Sequence, residues 1–557
     1  MRSIIRSVSC HANDCGERVA LRVLQDRAWS SFTYAALQRL VLAWASRFHA
    51  MDCPQDSVVF FVLKHRAEMY PAFLGVMRAG LIPSFLPFPT PKQDAQAYWS
   101  SHRTLLARVR PRAIVTYGEN VVLLEAIVAD TDCAILDIDR IDQDGAIEEH
   151  TLPPLDVVES GERIALLQHS SGTTGLKKGV ALSFDQIRWQ IDAYAPTIAA
   201  GSDSRIVSWL PVYHDMGLIT SFLLPLTLGA EIVSIDAFDW LQRPDMLLGL
   251  IGEHRATHCW LPNFAFNHLI RTRDRKRRYD LSSLVALISC SEPAKPDTMQ
   301  RFASAFAPDG LPPHALQVTY AMAETVFAVT QTALGATPRI LSVDLPALVG
   351  EKRVVPVPAG QPNAASFVSC GRPVGDVALR IAAEPGRDVG EVLLGGRFLF
   401  GGYYRNPQDS EAVLQAGQFR TGDSGFLHEG ELFVCGRLKE MLIVHGRNYY
   451  ATDIEEVASL VPGVKPGRAV AFAVFNPGTA SEEAVLLAES ELTETSEHAA
   501  LQKAVRDAVF DRLELSLKTV EILPLGHIVK TTSGKISRKD NLERYLANRQ
   551  ERAVPAA

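Results

Sequence analysis

From Val58 onward, short apolar runs alternate with longer segments of helical spacing, and this alternation restricts the architectures open to the chain more than any other feature. Val58–Leu63 reads as a strand and Ala67–Ala79 as a helix; Ala113–Tyr117 and Ala134–Ile138 read as further strands. Runs this short and apolar are buried strands, and the helices between them supply the cover. The pattern predicts an α/β architecture with largely parallel sheets. No apolar run approaches the ~20 residues a membrane-spanning helix needs.

The chain has 557 residues, of which 47% are hydrophobic and 21% charged. Domains run roughly 100–200 residues, so one large core with a smaller unit, or three units, is expected. The net charge is -7, from 56 basic and 63 acidic residues, which argues against nucleic acid or an anionic membrane as partner. The 8 cysteines are scattered and form no Cys-x-x-Cys pair, which argues against a zinc site and fits a reducing cytoplasm. Met1–Arg6 is basic, but no apolar run follows, so it does not read as a signal peptide. The expected location is cytoplasmic, without membrane insertion.

Two changes of texture organise the rest. Thr337–Ser366 is rich in Pro, Gly and Val; it reads as a loose connection or as a functional or inserted unit. Near Cys435-Gly436-Arg437-Leu438-Lys439 the chain becomes compact: a helix over Ala451–Leu460, strands at Ala469–Val474 and Ala484–Glu489, a helix near Glu497–Leu513, then a polar tail. The predicted division is a large N-terminal domain of several subdomains, residues 1–436, and a small mobile α+β domain, residues 437–557.

The densest chemistry lies in Ser170-Ser171-Gly172-Thr173-Thr174-Gly175-Leu176-Lys177-Lys178-Gly179, directly after the apolar run Ile164–Leu167. Three glycines let the backbone turn tightly and approach a ligand, hydroxyls and N–H groups form an anion-binding concavity, and lysines add positive charge. ATP phosphates suit such a loop. The Walker spacing Gly-x4-Gly-Lys-Ser/Thr is absent.

This loop resembles the phosphate loop of the adenylate-forming superfamily, which includes acyl-CoA synthetases, luciferases, peptide-synthetase adenylation domains and fatty acyl-AMP ligases. Lys177 stands where the family often has Pro, which removes stiffness and adds charge. The other motifs follow in the family's order. In Trp209-Leu210-Pro211-Val212-Tyr213-His214-Asp215-Met216-Gly217-Leu218, the resemblance sets His214 beside the reacting carboxylate and the acyl tunnel. Ser289-Cys290-Ser291-Glu292-Pro293 resembles the loop lining the adenine pocket, through Ser291 and Glu292. Tyr320-Ala321-Met322-Ala323-Glu324 is similar to the Tyr-Gly-x-Thr-Glu motif, with Tyr320 on adenine, Ala321 and Met322 beside the nucleotide, and Glu324 holding a magnesium ion that bridges ATP phosphates. Ala323 replaces the usual Thr, as is common among fatty acyl-AMP ligases. Arg420-Thr421-Gly422-Asp423 resembles the ribose clamp, with Asp423 accepting the hydroxyls. Gly436-Arg437-Leu438-Lys439 resembles the interdomain hinge, with Arg437 near the ribose and Lys439 as pivot. Lys530-Thr531-Thr532-Ser533-Gly534-Lys535 matches the C-terminal catalytic loop, whose lysine, here Lys535, meets both carboxylate and α-phosphate. The resemblance runs from about Phe32 to Arg538.

It implies attack of a carboxylate on ATP with loss of pyrophosphate, helped by magnesium, and then acyl transfer to a thiol after the small domain swings about its hinge. The Trp209–Leu218 string, Ala323 and Gly436–Glu440 followed by Gly446-Arg447-Asn448 point to the fatty acyl-AMP ligase branch. Thr337–Ser366 resembles that branch's insertion, associated with the phosphopantetheine arm of a separate acyl carrier protein or carrier domain as acceptor in place of CoA; a tolerated surface insertion is the plainer alternative. Trp260 and Pro262–Asn267 suit an acyl pocket or ordinary helical packing. The basic run Arg271, Arg273, Arg275, Lys276, Arg277 and Arg278 is a solvated face or a docking site for an acidic carrier. A CoA ligase and an amino- or aryl-acid adenylating enzyme remain as alternatives. Chain length and oligomeric state are not legible.

Overall fold

The computed structural model describes residues 3–89, 95–142, 147, 149–169, 178–444, 447–476, 481–513, 515–531 and 535–553. The alternation resolves into two parallel sheets. One has four strands in the order Ile82–Leu86, Val58–Val62, Ala113–Thr116, Ala134–Asp137, all parallel. Val58–Val62 is buried along its whole length, as a run apolar on both faces requires. The other has nine strands. Its centre is parallel and runs Leu316–Ala321, Ala286–Cys290, His258–Pro262, Arg205–Ser208, Glu231–Ser234, Val19–Gln25; antiparallel strands close both edges.

The expected helix at Ala67–Ala79 spans Met69–Arg78 and packs on the helix Tyr34–Ala50. Gly75 makes that contact close: a Cβ there would lie 2.4 Å from the Trp44 Cβ. An antiparallel hairpin, Ile164–His169 with Gly179–Ser183, flanks residues 170–177, which lie outside the described residues together with the phosphate-loop assignments for Ser170, Ser171, Gly172, Thr173, Thr174 and Gly175.

A five-stranded sheet follows, whose strands Gln418–His428 and Glu431–Arg437 set Asp423 opposite Arg437. Past the turn Leu438–Glu440 the chain builds the smaller domain. It has a three-stranded sheet, Ala469–Asn476, Ser481–Glu489 and Thr519–Leu523, with the helices Ala451–Ser459 and Thr495–Leu513. Its core, including Ile454, Leu486, Val505 and Val520, is separate from the large-domain core. The polar tail is not a loose end: Arg538–Ala553 is a helix that seats Leu542 and Tyr545 against Val470, Phe472 and Leu487. With so few apolar positions, its amphipathic stripe does not stand out in the sequence.

Thr337–Ser366 is likewise built. Ile340–Asp344 pairs antiparallel with Ala364–Val368, and Val343 and Leu348 bury themselves with Phe426, Phe433, Cys435 and Tyr450. The segment therefore touches both the five-stranded sheet and the start of the small domain. The basic run after Leu269 is partly committed within the fold: Arg273 pairs with the buried Asp309 at 2.6 Å, Arg277 with Asp245 at 2.6 Å, and Arg271 reaches His268 Nδ1 at 3.1 Å.

Gly75→Ala is expected to destabilise the large domain by about 1–3 kcal/mol through overpacking against Trp44, read as a lowered urea midpoint of its unfolding transition.

Candidate active site

The C-terminal ends of the parallel strands gather the polar groups. Leu316–Ala321 delivers Tyr320, whose hydroxyl donates to Asp423 Oδ2 at 2.5 Å. Asp423 Oδ1 meets Arg437 Nε at 3.1 Å across the strand pair, and the Asp423 backbone N–H donates to Thr421 Oγ1 at 3.0 Å. Asp423 is almost fully buried. Burial pushes its carboxyl above the ordinary range, and Arg437, Tyr320 and Lys535 pull it back. Next to this carboxylate, Gly422 N donates to Glu391 Oε1 at 3.0 Å, and Arg420 Nε donates to Glu391 Oε2 at 2.9 Å, which holds the turn.

After Ala321 the chain turns sharply. Met322 N donates to Phe327 O at 2.9 Å, Thr325 Oγ1 reaches the carbonyls of Met322 and Phe327 at 3.1 Å, and Val326 is held at φ +66, ψ -52. A β-branched residue there is strained, and the surrounding hydrogen bonds over-determine it. The turn aims Glu324 inward. Its carboxylate accepts from the Tyr403 hydroxyl at 3.0 Å, and burial raises its pKa. Lys178, the first residue described after the phosphate loop, stands 4.8 Å over the Tyr403 ring and 3.3 Å from Asp409.

The string around His214 forms a second wall. Met216–Leu223 is a π-helix, a rare wide turn often found at functional sites. Gly217 is required by its close approach to Pro211, whose carbonyl oxygen a Cβ would meet at 2.3 Å. The His214 ring lies 4.8 Å from that of Tyr213, whose carbonyl accepts from Gln168 at 3.1 Å, so this wall is tied to the strand entering the phosphate loop. Asp215 stands half-buried beside it, its carboxyl raised by desolvation and lowered by the charge of Lys535. Beyond lies an aromatic cluster: Trp209 stacks on Trp240 at 3.9 Å, and Phe264 and His268 meet Trp240 edge-on. Of the expected acyl-pocket string, Phe264 joins this cluster. Trp260 instead donates to Tyr194 at 3.1 Å in the core, and Phe266 packs on Phe302.

Ser291, at φ +68, follows the strand Ala286–Cys290 and brings its hydroxyl to 3.9 Å from the Met216 sulfur. Glu292 is tied down, accepting from Phe264 N at 2.9 Å at a helix N-terminus. From the small domain comes Lys535. The Thr531 N–H donates to its carbonyl at 2.7 Å, and its charge is felt at Asp215, Asp423 and Cys290. Thr532–Gly534 lie outside the described residues. Lys439 stands exposed in the turn Leu438–Glu440, away from these groups.

The structure thus joins Tyr320, Asp423 and Arg437, sets Glu324 within the field of Arg437, and brings the charge of Lys535 to Asp423 and to the residues next to His214 and Ser291. Three members of this site carried no role in the sequence reading. Asp215 sits inside the quoted string without an assigned function, whereas Tyr403 and Glu391 come from segments with no motif; only the Gly401-Gly402-Tyr403-Tyr404 texture offered a signal.

The large domain thus presents a buried acid–tyrosine–arginine node to the charge of a lysine from the small domain. Residues 9–404 match the model of the AMP-binding enzyme family. The chain belongs to that family and is an AMP-forming ligase of the adenylate-forming superfamily, with ATP as its nucleotide. It is 30% identical over 517 residues to a long-chain-fatty-acid–AMP ligase of Mycobacterium marinum, covering 86% of each chain. It is 31% identical over 406 residues to a medium-chain-fatty-acid–[acyl-carrier-protein] ligase of Moorena producens, covering 70% of this chain and 68% of that one. A solved structure from work on fatty acyl-adenylate ligases of E. coli and L. pneumophila shares the fold at TM-score 0.88 and 24% identity, over 99% of this chain and 98% of that one. The similarity to the mycobacterial fatty-acid–AMP ligase sets the chain on the fatty acyl-AMP ligase branch, and the solved structure shares its fold.

Tyr403→Phe removes the donor that favours ionised Glu324, so the Glu324 carboxyl should rise further and the acid limb of the pH–rate profile should move toward neutral pH; a Tyr403 with only a packing role would lower the rate without moving the limb.

Proposed function

We propose that this protein condenses a fatty acid with ATP to an acyl-adenylate and then passes the acyl group to the phosphopantetheine thiol of a separate acyl carrier protein. The observation that carries the reading is the field of Lys535, a small-domain residue, falling on Asp423 and Asp215 of the large domain.

In the first step a carboxylate oxygen attacks the α-phosphorus, the bond to the β-phosphate oxygen breaks, and pyrophosphate leaves with the electron pair. Two anions must meet, so fixed positive charge in a partly dry site is the main requirement. Lys535 supplies it beside the reacting atoms, and the loop Ser170–Lys178 supplies it along the leaving pyrophosphate. Tyr320 stacks on the adenine, with Ser291, Glu292, Ala321 and Met322 around it. Asp423 accepts the ribose hydroxyl protons, and Arg437 favours its ionised form against the effect of burial. His214 lies against the substrate carboxylate, and the Trp209–Trp240–Phe264 cluster gives the alkyl chain an apolar wall.

Glu324 suits a magnesium ion. It is a half-buried carboxylate whose pKa desolvation raises, a state that a cation arriving with the phosphates would relieve, and magnesium needs only one or two carboxylates besides phosphate oxygens. When bound, the ion would neutralise part of the polyphosphate charge.

In the second step the carrier thiol sulfur attacks the acyl carbonyl carbon, and AMP departs. The small domain, residues 437–557, turns about Lys439 between steps, a hinge-type motion. The hairpin Ile340–Val368 supports a carrier over CoA because it packs on Tyr450, at the start of the moving domain. Scattered free thiols, and the lack among the described residues of a helix long and apolar enough to cross a membrane, fit a cytoplasmic enzyme.

The test supplies ATP, magnesium and a panel of acids, fatty acids of graded length and an amino acid, then CoA or a phosphopantetheinylated carrier, with acyl-AMP, acyl-CoA and acyl-carrier read by mass spectrometry. Fatty acyl-AMP with transfer to the carrier alone is expected; efficient acyl-CoA formation would overturn the acceptor, and turnover of the amino acid alone would overturn the substrate class. Lys535→Ala should lower acyl-AMP formation by at least about 10²–10³-fold while ATP binding by calorimetry stays near normal; a near-normal rate would remove Lys535 from the mechanism.

A further inference from the structure

The segment Ser291–Lys295 lies beside the nucleotide groups and also faces the small domain with two opposite charges. Lys295 stands at the N-terminus of the helix Pro296–Phe306, and its ammonium pairs directly with Glu456 on the small-domain helix Ala451–Ser459. Asp453 lies one turn earlier on the same helix, so both acids share a face. Burial pushes the Asp453 carboxyl up to about 6, and Lys295 draws it down. Burial works to lower the Lys295 ammonium, and Glu456, Asp453 and Glu455 together outweigh it. Three residues before Lys295 is Glu292, pinned by Phe264 N at 2.9 Å. Its charge acts across the interface on Lys530, which is bridged to Ile536 in the hairpin that carries Lys535.

The two surfaces are therefore complementary in sign at two points: base to acids at Lys295, acid to base at Glu292. The Lys295–Glu456 contact, the one of the two in which the side chains meet as an ion pair among the described residues, occurs in the orientation that brings the charge of Lys535 onto Asp423. An isolated, partly exposed ion pair is weak, and Lys295 and Glu456 keep 27% and 42% of their side-chain surface. A weak contact is what a domain that must leave again requires.

We propose that Lys295 and Glu456, with Asp453, are positioning residues: a charge clasp that holds the small domain in the orientation for adenylation and opens for acyl transfer. The inference rests on the two-step reading above. The clasp acts on the first half-reaction alone, because the second follows after the small domain has turned away.

The test measures the two half-reactions separately. Lys295→Glu faces Asp453, Glu455 and Glu456 with a like charge and should slow acyl-AMP formation about tenfold, while transfer from supplied acyl-AMP to the carrier changes less than about twofold. Lys295→Arg should stay near the wild-type rate. The double variant K295E/E456K restores the pair in reverse and should recover at least about threefold over K295E. Wild-type adenylation by K295E, equal losses in both half-reactions, or a folded double variant no better than K295E would each overturn the clasp. If K295E fails to fold by circular dichroism, Lys295→Met carries the same test by losing the charge at similar length. Small-angle X-ray scattering with ATP and magnesium gives a readout that needs no acid: K295E should show a larger radius of gyration than wild type, and K295E/E456K should return toward it. An unchanged radius would count against the clasp even if no fatty acid proved to be a substrate, whereas a failed acid panel with the expected radii would overturn only the substrate.

Discussion

Asp423 is a buried carboxylate, and a buried charge is tolerable only when its partners are fixed in place. Tyr320 comes from the end of a parallel strand, Arg437 from the antiparallel neighbour of Asp423's own strand, and the field of Lys535 from the other domain. Each partner belongs to a different part of the chain, so the node forms only when the nine-stranded sheet, the five-stranded sheet and the small domain are all in register. Leaving one partner out would strand a desolvated charge, which costs more than the lost contact alone. The same constraint sets where the small domain begins: Arg437 is the last residue of the strand facing Asp423, and the turn Leu438–Glu440 begins directly after it.

Much of this frame was legible because it rests on burial. Val58–Val62 and Ala113–Thr116 lie within a residue of where their apolar runs end, since a strand covered on both faces has no polar alternation to blur its limits; the half-buried edge strand Ala134–Asp137 ends as closely. The helix Arg538–Ala553 was not legible for the opposite reason. Among its described residues only a narrow strip, Asn541 and Tyr545 with the half-buried Leu542, is covered, and a helix supported by a few contacts leaves little periodicity in sequence. The hairpin Ile340–Val368 hides in Pro- and Gly-rich sequence because two short strands resting on Phe426 and Phe433 need few apolar positions of their own.

The site divides along similar lines. Residues lying inside contiguous strings, Tyr320 with Glu324 or His214, could be picked out together because one turn of backbone carries the whole constellation. Tyr403, Asp409 and Glu391 could not. They act by orienting a neighbour from elsewhere in the chain: Tyr403 holds Glu324, Asp409 holds Lys178, and Glu391 holds the turn before Asp423. Such contacts depend on tertiary distance, which no spacing rule encodes. Asp215 is a third kind of case, visible in sequence yet mute, because its significance is the Lys535 charge brought to it by a domain more than three hundred residues away.

On the two-step reading proposed above, the small domain would have to be held firmly enough to preorganise the first reaction and loosely enough to reach the second. Contact strength at the domain border reflects this. Within the small domain, Arg538 grips Glu455 through two nitrogens, at 2.7 and 3.1 Å, and also reaches Glu440, so the hairpin bearing Lys535 moves as one body with the chain just past the hinge. Between domains, the Lys295–Glu456 pair is half open to water and therefore easily exchanged for solvent. Strong pairing inside the moving body and weak pairing across its border let the lysine arrive rigidly and depart cheaply. Tyr450 complicates the departure: it is buried with Leu348 and donates to Ser424 Oγ at 2.8 Å, so turning the domain must first withdraw an aromatic ring from an apolar seat. The segment Thr337–Ser366 thus contributes a second, apolar contact beside the charged one, and on the proposed reading the balance between them would set how readily the small domain turns.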